Sequence, residues 1–169
     1  MASARQRLIE ALERAADQLE QGAPYQWGHV GQCNVGQVVQ HLAQMSDRDI
    51  MAAFGRTLAE WRLHAAEYFD AAVGDEPLAA TQSQQDRCTQ GSVPLEQIYR
   101  LLADAGLTAQ DIGHLEFLSD PHVLARIKRC SLRRNDPADA ALYLRTYAAL
   151  LAERDAAAQH TAEAAYICA

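Results

Sequence analysis

The densest set of chemically capable side chains lies in residues 23–37, APYQWGHVGQCNVGQ. His29 and Cys33 stand four residues apart there, offering an imidazole nitrogen and a thiolate sulfur, ligand types that zinc and iron accept. His41 lies one or two turns into the segment that follows. Cys88 lies far along the chain in DRCTQGS, where Arg87 favours its thiolate form. Folded back toward Cys33, it would complete a thiol pair or a shared metal site. His29, Cys33, His41 and Cys88 are thus the candidate ligands, and a transition metal such as Zn or Fe the candidate cofactor. The H-x3-C spacing alone is a weak signature, because structural zinc motifs usually carry two close ligand pairs.

A structural reading competes with the chemical one. Tyr25 and Trp27 would plug one end of a helical body, and Gly28, Gly31 and Gly36 would permit the turns between them. His29 would then bond to backbone, Cys33 would be a small buried hydrophobe and Cys88 an inert surface thiol. A reactive thiol at Cys33 is the third reading. Gln37, His41 and Gln44 recur at i, i+4 and i+7, a polar helix face beside Val38, Leu42 and Met45.

Other features have plainer explanations. Residues 98–119 resemble a helix-turn-helix, with Gly106 at the turn and Thr108 as a cap. The would-be recognition helix TAQDIGHLEFL, however, has Asp111 and Glu116 and no Lys or Arg, where groove recognition needs donors. The cluster Arg126, Lys128, Arg129, Arg133, Arg134 suits a helix C-terminus, with an anion or partner patch as the alternative. His64, His114 and His122 fit the boundary of a core. No Ser/His/Asp set, HExxH, phosphate loop or paired-carboxylate motif stands out, so whether the chain is an enzyme is left open.

The segments GAPYQWGHVGQCNVGQVVQ, CTQGSVPLEQIYRLLADAGLT and HLEFLSDPHVL resemble a family of uncharacterised bacterial helical proteins whose loop reads close to GHxGxCNCGHL. The resemblance spans most of the chain and implies a His/Cys/Cys/His cluster suited to a soft metal. Here His29, Cys33 and Asn34 are kept, but Val35 and Gln37 stand where that pattern has a second Cys and a His. Metal binding is correspondingly in doubt: the loop is read as structural, a site short of two ligands unless His41 or Cys88 replaces them.

The elements that must position this loop are helices throughout. Ser3 with Gln6 has capping-box spacing, and Leu8, Leu12, Ala15 and Leu19 form one apolar stripe that Gly22 and Pro24 end. Asn34 with Gln37 is read as the next cap, and Ser46 with Asp49 as a third, opening a stripe from Ile50 to Phe69. Residues 74–93 lack periodicity and form a polar connection. Pro94 opens a helix closed by Gly106, Thr108 with Asp111 caps another, and Asp120-Pro121 and Asp136-Pro137 each pair a cap with a first-turn proline. The last helix is expected from about 137 to 154, with residues 155–169 extending it or fraying. No strand pattern is present. The predicted fold is all-α, an irregular single-domain bundle of about six to eight helices over residues 1–169.

The chain has 169 residues, a net charge of −7 and a pI near 5.3. An acidic surface argues against nucleic acid as a partner. No apolar run is long enough to span a bilayer, so no membrane partner is expected and a cytoplasmic location is the default. Two function classes follow. One is a helical interaction or regulatory protein, homo-oligomeric or bound to a protein partner. The other is a metal- or cofactor-binding protein with its site on the 25–36 loop.

Overall fold

A computed structural model describes residues 2–27, 29, 31–54 and 95–167. They form seven helices: α1 (Ala4–Glu20), α2 (Asn34–Ala43), α3 (Asp47–Phe54), α4 (Leu95–Asp104), α5 (Ala109–Phe117), α6 (Pro121–Ile127) and α7 (Pro137–Ile167). No strand occurs among the described residues, so the chain is all-α, as its periodicity predicts. The connection at 74–93 and Cys88 lie outside the described residues.

α1 begins as its sequence requires. Ser3 Oγ accepts from the Gln6 N–H and Gln6 Oε1 accepts from the Ser3 N–H, a reciprocal capping box. The stripe Leu8, Leu12, Ala15 and Leu19 is buried, chiefly against α7 and secondarily against α2. Each leucine so buried contributes about 1.5–3 kcal/mol. On the facing side of α7, Ala140, Ala141, Tyr143, Leu144, Tyr147, Ala148 and Leu151 are also buried. Where this seam meets solvent, Arg145 of α7 reaches Asp17 and Glu20 of α1 at 2.8 and 2.7 Å. The apolar seam holds the two helices together; an exposed ion pair adds at most about 1 kcal/mol.

The helix ends put the chain in position for the site. α1 closes in a Schellman turn: the Ala23 N–H donates to Gln18 O and the Gly22 N–H to Leu19 O, with Gly22 at φ +85°. α2, α5 and α6 end instead on Gln44, Leu118 and Lys128, at φ of 54°, 52° and 61°. A left-handed conformation costs a residue with a side chain about 1–2 kcal/mol. Each is held by the following N–H reaching back five residues, from Met45 to Gln40, Ser119 to His114 and Arg129 to Leu124. Tyr143 fastens α7 to the end of α5: its hydroxyl donates to His114 O at 3.0 Å and accepts from the Asp120 N–H at 3.1 Å.

Of the two alternatives for the tail, extension holds: the last helix runs from Pro137 to Ile167. Its alanine-rich sequence carries no breaker after Pro137, and alanine is the strongest helix former. No helix among the described residues is long and apolar enough to cross a membrane.

Candidate functional site

Residues 21–33 link α1 to α2, and Asn34–Gly36, expected in the loop, instead form the first turn of α2. The His29 N–H donates to Gln26 O, the Gln32 and Cys33 N–H groups to His29 O, and the Gln26 N–H to Gln32 O. Two successive turns therefore close on each other. Gly31 is required by contact: a Cβ there would sit 2.7 Å from Asp47 O and 3.0 Å from Asp47 Cα. The loop thus lies directly on the start of α3. Gln40 Nε2 donates to Gly31 O at 2.8 Å and Gln32 Nε2 to Asp47 Oδ2 at 2.9 Å, fixing the tip from both neighbouring helices.

The other side of the loop is tied to the end of α5. Glu116, 2% exposed, sits where helix carbonyls run out of partners. Its main-chain oxygen accepts from the Asn34 amide at 2.8 Å and from the Trp27 indole N–H at 3.2 Å. Its side-chain Oε2 accepts from the Val35 N–H at 3.1 Å, in the first turn of α2. An acidic group at a helix N-terminus is favoured both by the free N–H and by the helix dipole. Tyr25 completes the network: its hydroxyl lies 2.8 Å from Asn34 Oδ1 and 2.6 Å from Arg134 O. One hydroxyl proton serves both acceptors. Burial, reinforced by Glu116 and Cys33 nearby, holds the Tyr25 phenol protonated well above the usual tyrosine range. Trp27 packs edge-on to Phe117 with ring centroids 6.1 Å apart, and the Arg134 guanidinium lies 5.0 Å and 5.1 Å from the two centroids.

Cys33, not Asn34, caps α2. Its Sγ accepts from the Gly36 N–H at 3.3 Å, and it has no exposed surface. The expected pairing of Asn34 with Gln37 fails because both side chains bind elsewhere. Asn34 bridges Tyr25 to Glu116, while Gln37 Nε2 donates to Pro24 O at 2.9 Å and Gln32 O at 3.4 Å.

Of the four candidate ligands, Cys88 lies outside the described residues. His29 Nδ1 accepts from the Gly31 N–H at 3.3 Å, which leaves the ring proton on Nε2. Ligation by Nε2 would require that proton to move and the Gly31 bond to break. His41 is half-buried, with Nε2 enclosed and without a hydrogen-bond partner. Burial, and secondarily the charge of Arg14, hold it neutral below the usual histidine range. Among the described residues no group of three or more His, Cys, Asp or Glu is placed to hold a metal ion. A metal centre on this loop would have to draw a ligand from elsewhere in the chain.

The structure adds a feature that spacing did not mark. A cavity of about 390 Å³ opens beside the loop, lined by Gln18, Gln21, Gly22, Ala23 and Pro24 from the end of α1, Gln37 and Gln40 from α2, and Asp47. Gln37 is 1% exposed, and its Oε1 has no hydrogen-bond partner. Turning the amide over would aim Oε1 at two carbonyl oxygens, so the bonds to Pro24 and Gln32 fix its orientation. An unmet buried acceptor costs about 1–3 kcal/mol. The only hint in sequence was the polar face Gln37/His41/Gln44.

The basic cluster is largely consumed by internal contacts. Arg126 pairs with Glu153 at 2.6 Å and Arg129 with buried Asp139 at 2.6 Å. Arg133 pairs with Asp136 and its N–H donates to Asp139, while Arg134 covers the two rings. The Arg133 backbone bond, opposed in part by burial, holds the Asp139 carboxyl below the usual range, aided by Arg129.

Two predictions follow from this geometry. Glu116→Ala removes the cap on Val35 and lowers unfolding free energy by about 2–4 kcal/mol, whereas Glu116→Gln keeps an acceptor there and costs about 1 kcal/mol. Urea denaturation of both variants measures the difference, and equal losses would remove the capping role. His41, with its folded pKa lowered, binds a proton more readily in the unfolded chain. Its stabilising share is therefore present above about pH 6.5 and is lost as pH falls below that value. Between pH 7 and 5 the native chain should lose stability more steeply than His41→Gln; parallel curves would show that His41 is not held neutral.

No protein-family model, curated protein or solved structure matches the chain.

Proposed function

We propose that this chain is a helical binding protein that takes a small molecule in the cavity between the end of α1 and α2. The observation that carries this reading is Gln37, an amide in the cavity wall whose oxygen is buried and unpartnered. Every contact made by Asn34 and Tyr25 is internal, so that side of the loop supports structure. Gln37 belongs to the cavity wall, and its Oε1 is enclosed there without a partner. The volume of the cavity, about 390 Å³, falls within the range of small-ligand sites, roughly 300–1,000 Å³.

The reading of an interaction protein has less to stand on in the described surface, where Leu142 is the large hydrophobic left exposed, at 40%. One such residue does not make a partner patch. The metal-binding reading lacks a third donor there.

The test is an amide NMR spectrum of the full chain titrated with a chemically broad set of small fragments. Some fragment should saturably shift the Gln18, Gln37 and Gln40 resonances. Gln21→Trp, placed at an exposed position of the lining, should block those shifts without unfolding the chain. If no compound in the set shifts these residues at millimolar concentration, the reading is overturned.

A further inference from the structure

Among the described side chains, serine and threonine hydroxyls are spent on structure. Ser3 and Thr108 cap helices, Ser46 bonds reciprocally with Asp49, Ser119 lies 2.9 Å from His114 Nδ1, and Thr146 donates to Leu142 O. Ser131 is the exception: it is exposed, and its hydroxyl bonds to nothing in the protein. It lies outside any helix, in the linker of residues 128–136 that joins α6 to α7. The surrounding segment 126–134 reads RIKRCSLRR, with five cations and no acid. Lys128 and Arg129 stand three and two residues before Ser131, and Arg133 and Arg134 two and three after it. Arg126, Lys128, Arg129 and Cys130 are all exposed, whereas Leu132 is buried and anchors the linker. The ion pairs of Arg126 with Glu153 and of Arg129 with Asp139 still leave these arginines 56% and 52% exposed. Approach from the N-terminal side is therefore open. An unspent hydroxyl on an exposed, non-helical segment, preceded by adjacent cations, fits the charge pattern by which basic-directed serine kinases select their substrates.

We propose that Ser131 is a phosphorylation site, modified by a serine kinase that recognises basic side chains. The Ser131 hydroxyl oxygen attacks the γ-phosphorus of a nucleoside triphosphate held by the kinase. The bond from that phosphorus to the β,γ-bridging oxygen breaks, the nucleoside diphosphate leaves, and the hydroxyl proton passes to the kinase's catalytic base. The product has a target inside the protein. A phosphoserine adds about −1.5 to −2 charge and three acceptor oxygens. Arg129 and Arg133, each two residues away, are within side-chain reach of it. Both now converge on the Asp139 carboxylate, at 2.6 and 3.6 Å. A phosphate competes with that carboxylate for them, because arginine pairs with phosphate as well as with carboxylate. Asp139 also accepts from the Arg133 N–H at 2.8 Å, so the same cluster fixes the linker backbone. At the next residue, Arg134 O accepts from the Tyr25 hydroxyl and the Arg134 guanidinium covers Trp27. Phosphorylation of Ser131 therefore loosens the linker where it touches Tyr25 and Trp27.

The experiment incubates the full folded chain with magnesium ATP and the catalytic subunit of cyclic-AMP-dependent protein kinase, a basic-directed serine kinase. Tandem mass spectrometry then locates the phosphate. Ser131 should be labelled in most chains, and Ser131→Ala should lose that label. The double variant Lys128→Gln, Arg129→Gln should be labelled at least tenfold more slowly while keeping the native helical circular dichroism. Labelling confined to other hydroxyls, or none at all, would overturn the proposal. So would labelling of Ser131 in a peptide of residues 126–134 but not in the folded chain, because the linker would then be closed to the enzyme. A double variant labelled at the full rate would overturn it too, since the cations would have no part in recognition. In the phosphorylated chain the Trp27 indole N–H resonance should shift, and in kinase-treated Ser131→Ala it should stay in place. An unmoved Trp27 resonance in the phosphorylated chain would contradict the loosened linker.

Discussion

Buried Glu116 is the constraint on which the site depends. Its carboxyl group caps α2 through the Val35 N–H, and its carbonyl gathers Asn34 and Trp27 from the loop. Two helix ends that would each leave backbone groups unpaired thus satisfy one another. The same residue joins segments 81 positions apart and removes the loop's freedom to move away from α5. Helix packing alone would not achieve this, because the α1–α7 seam holds α1 and leaves the orientation of the loop open. Gly31 against Asp47 sets the other boundary, so the loop is clamped between α5 and α3.

That clamp separates two polar environments along one short helix. On the α5 side, the polar groups of Tyr25, Asn34 and Glu116 are drawn into a closed network, the usual fate of buried polar groups. One turn further on, Gln37 is equally buried but half-satisfied, and His41 has an enclosed nitrogen without a partner. A fold that can satisfy the first set has no structural need to leave the second unmet. Gln37 also belongs to the wall of the cavity, which is the physical setting of the exception.

Much of the scaffold is written locally. The Ser3/Gln6 and Thr108/Asp111 boxes, the Asp120-Pro121 cap and the glycine stops at Gly22 and Gly106 all involve neighbours in sequence, and each lies where its spacing places it. The stripe in α1 is legible for the same reason. The site is not local, which is why it was read less well. Asn34 looked like a cap because Asn is a good one, yet Tyr25 and Glu116 compete for its side chain and Cys33 takes the position. Glu116 was legible only as an acid unsuited to groove recognition, because nothing within four residues reveals its partner. Gly31 looked like a turn glycine, whereas what it needs is room against Asp47. The arginines after residue 125 suited a helix C-terminus by position, but their partners Glu153, Asp136 and Asp139 are set by the fold.

The loop and the first turn of α2 form one rigid unit with α5, held by buried bonds to Glu116. Native-state amide hydrogen exchange of Val35 tests it most directly, because that N–H has no partner within its own helix. The account predicts that Val35 exchanges about as slowly as the buried amides of α1 and α7, opening only when the whole body unfolds. Exchange of Val35 at the rate of an exposed loop amide, with α1 and α7 still protected, would contradict it.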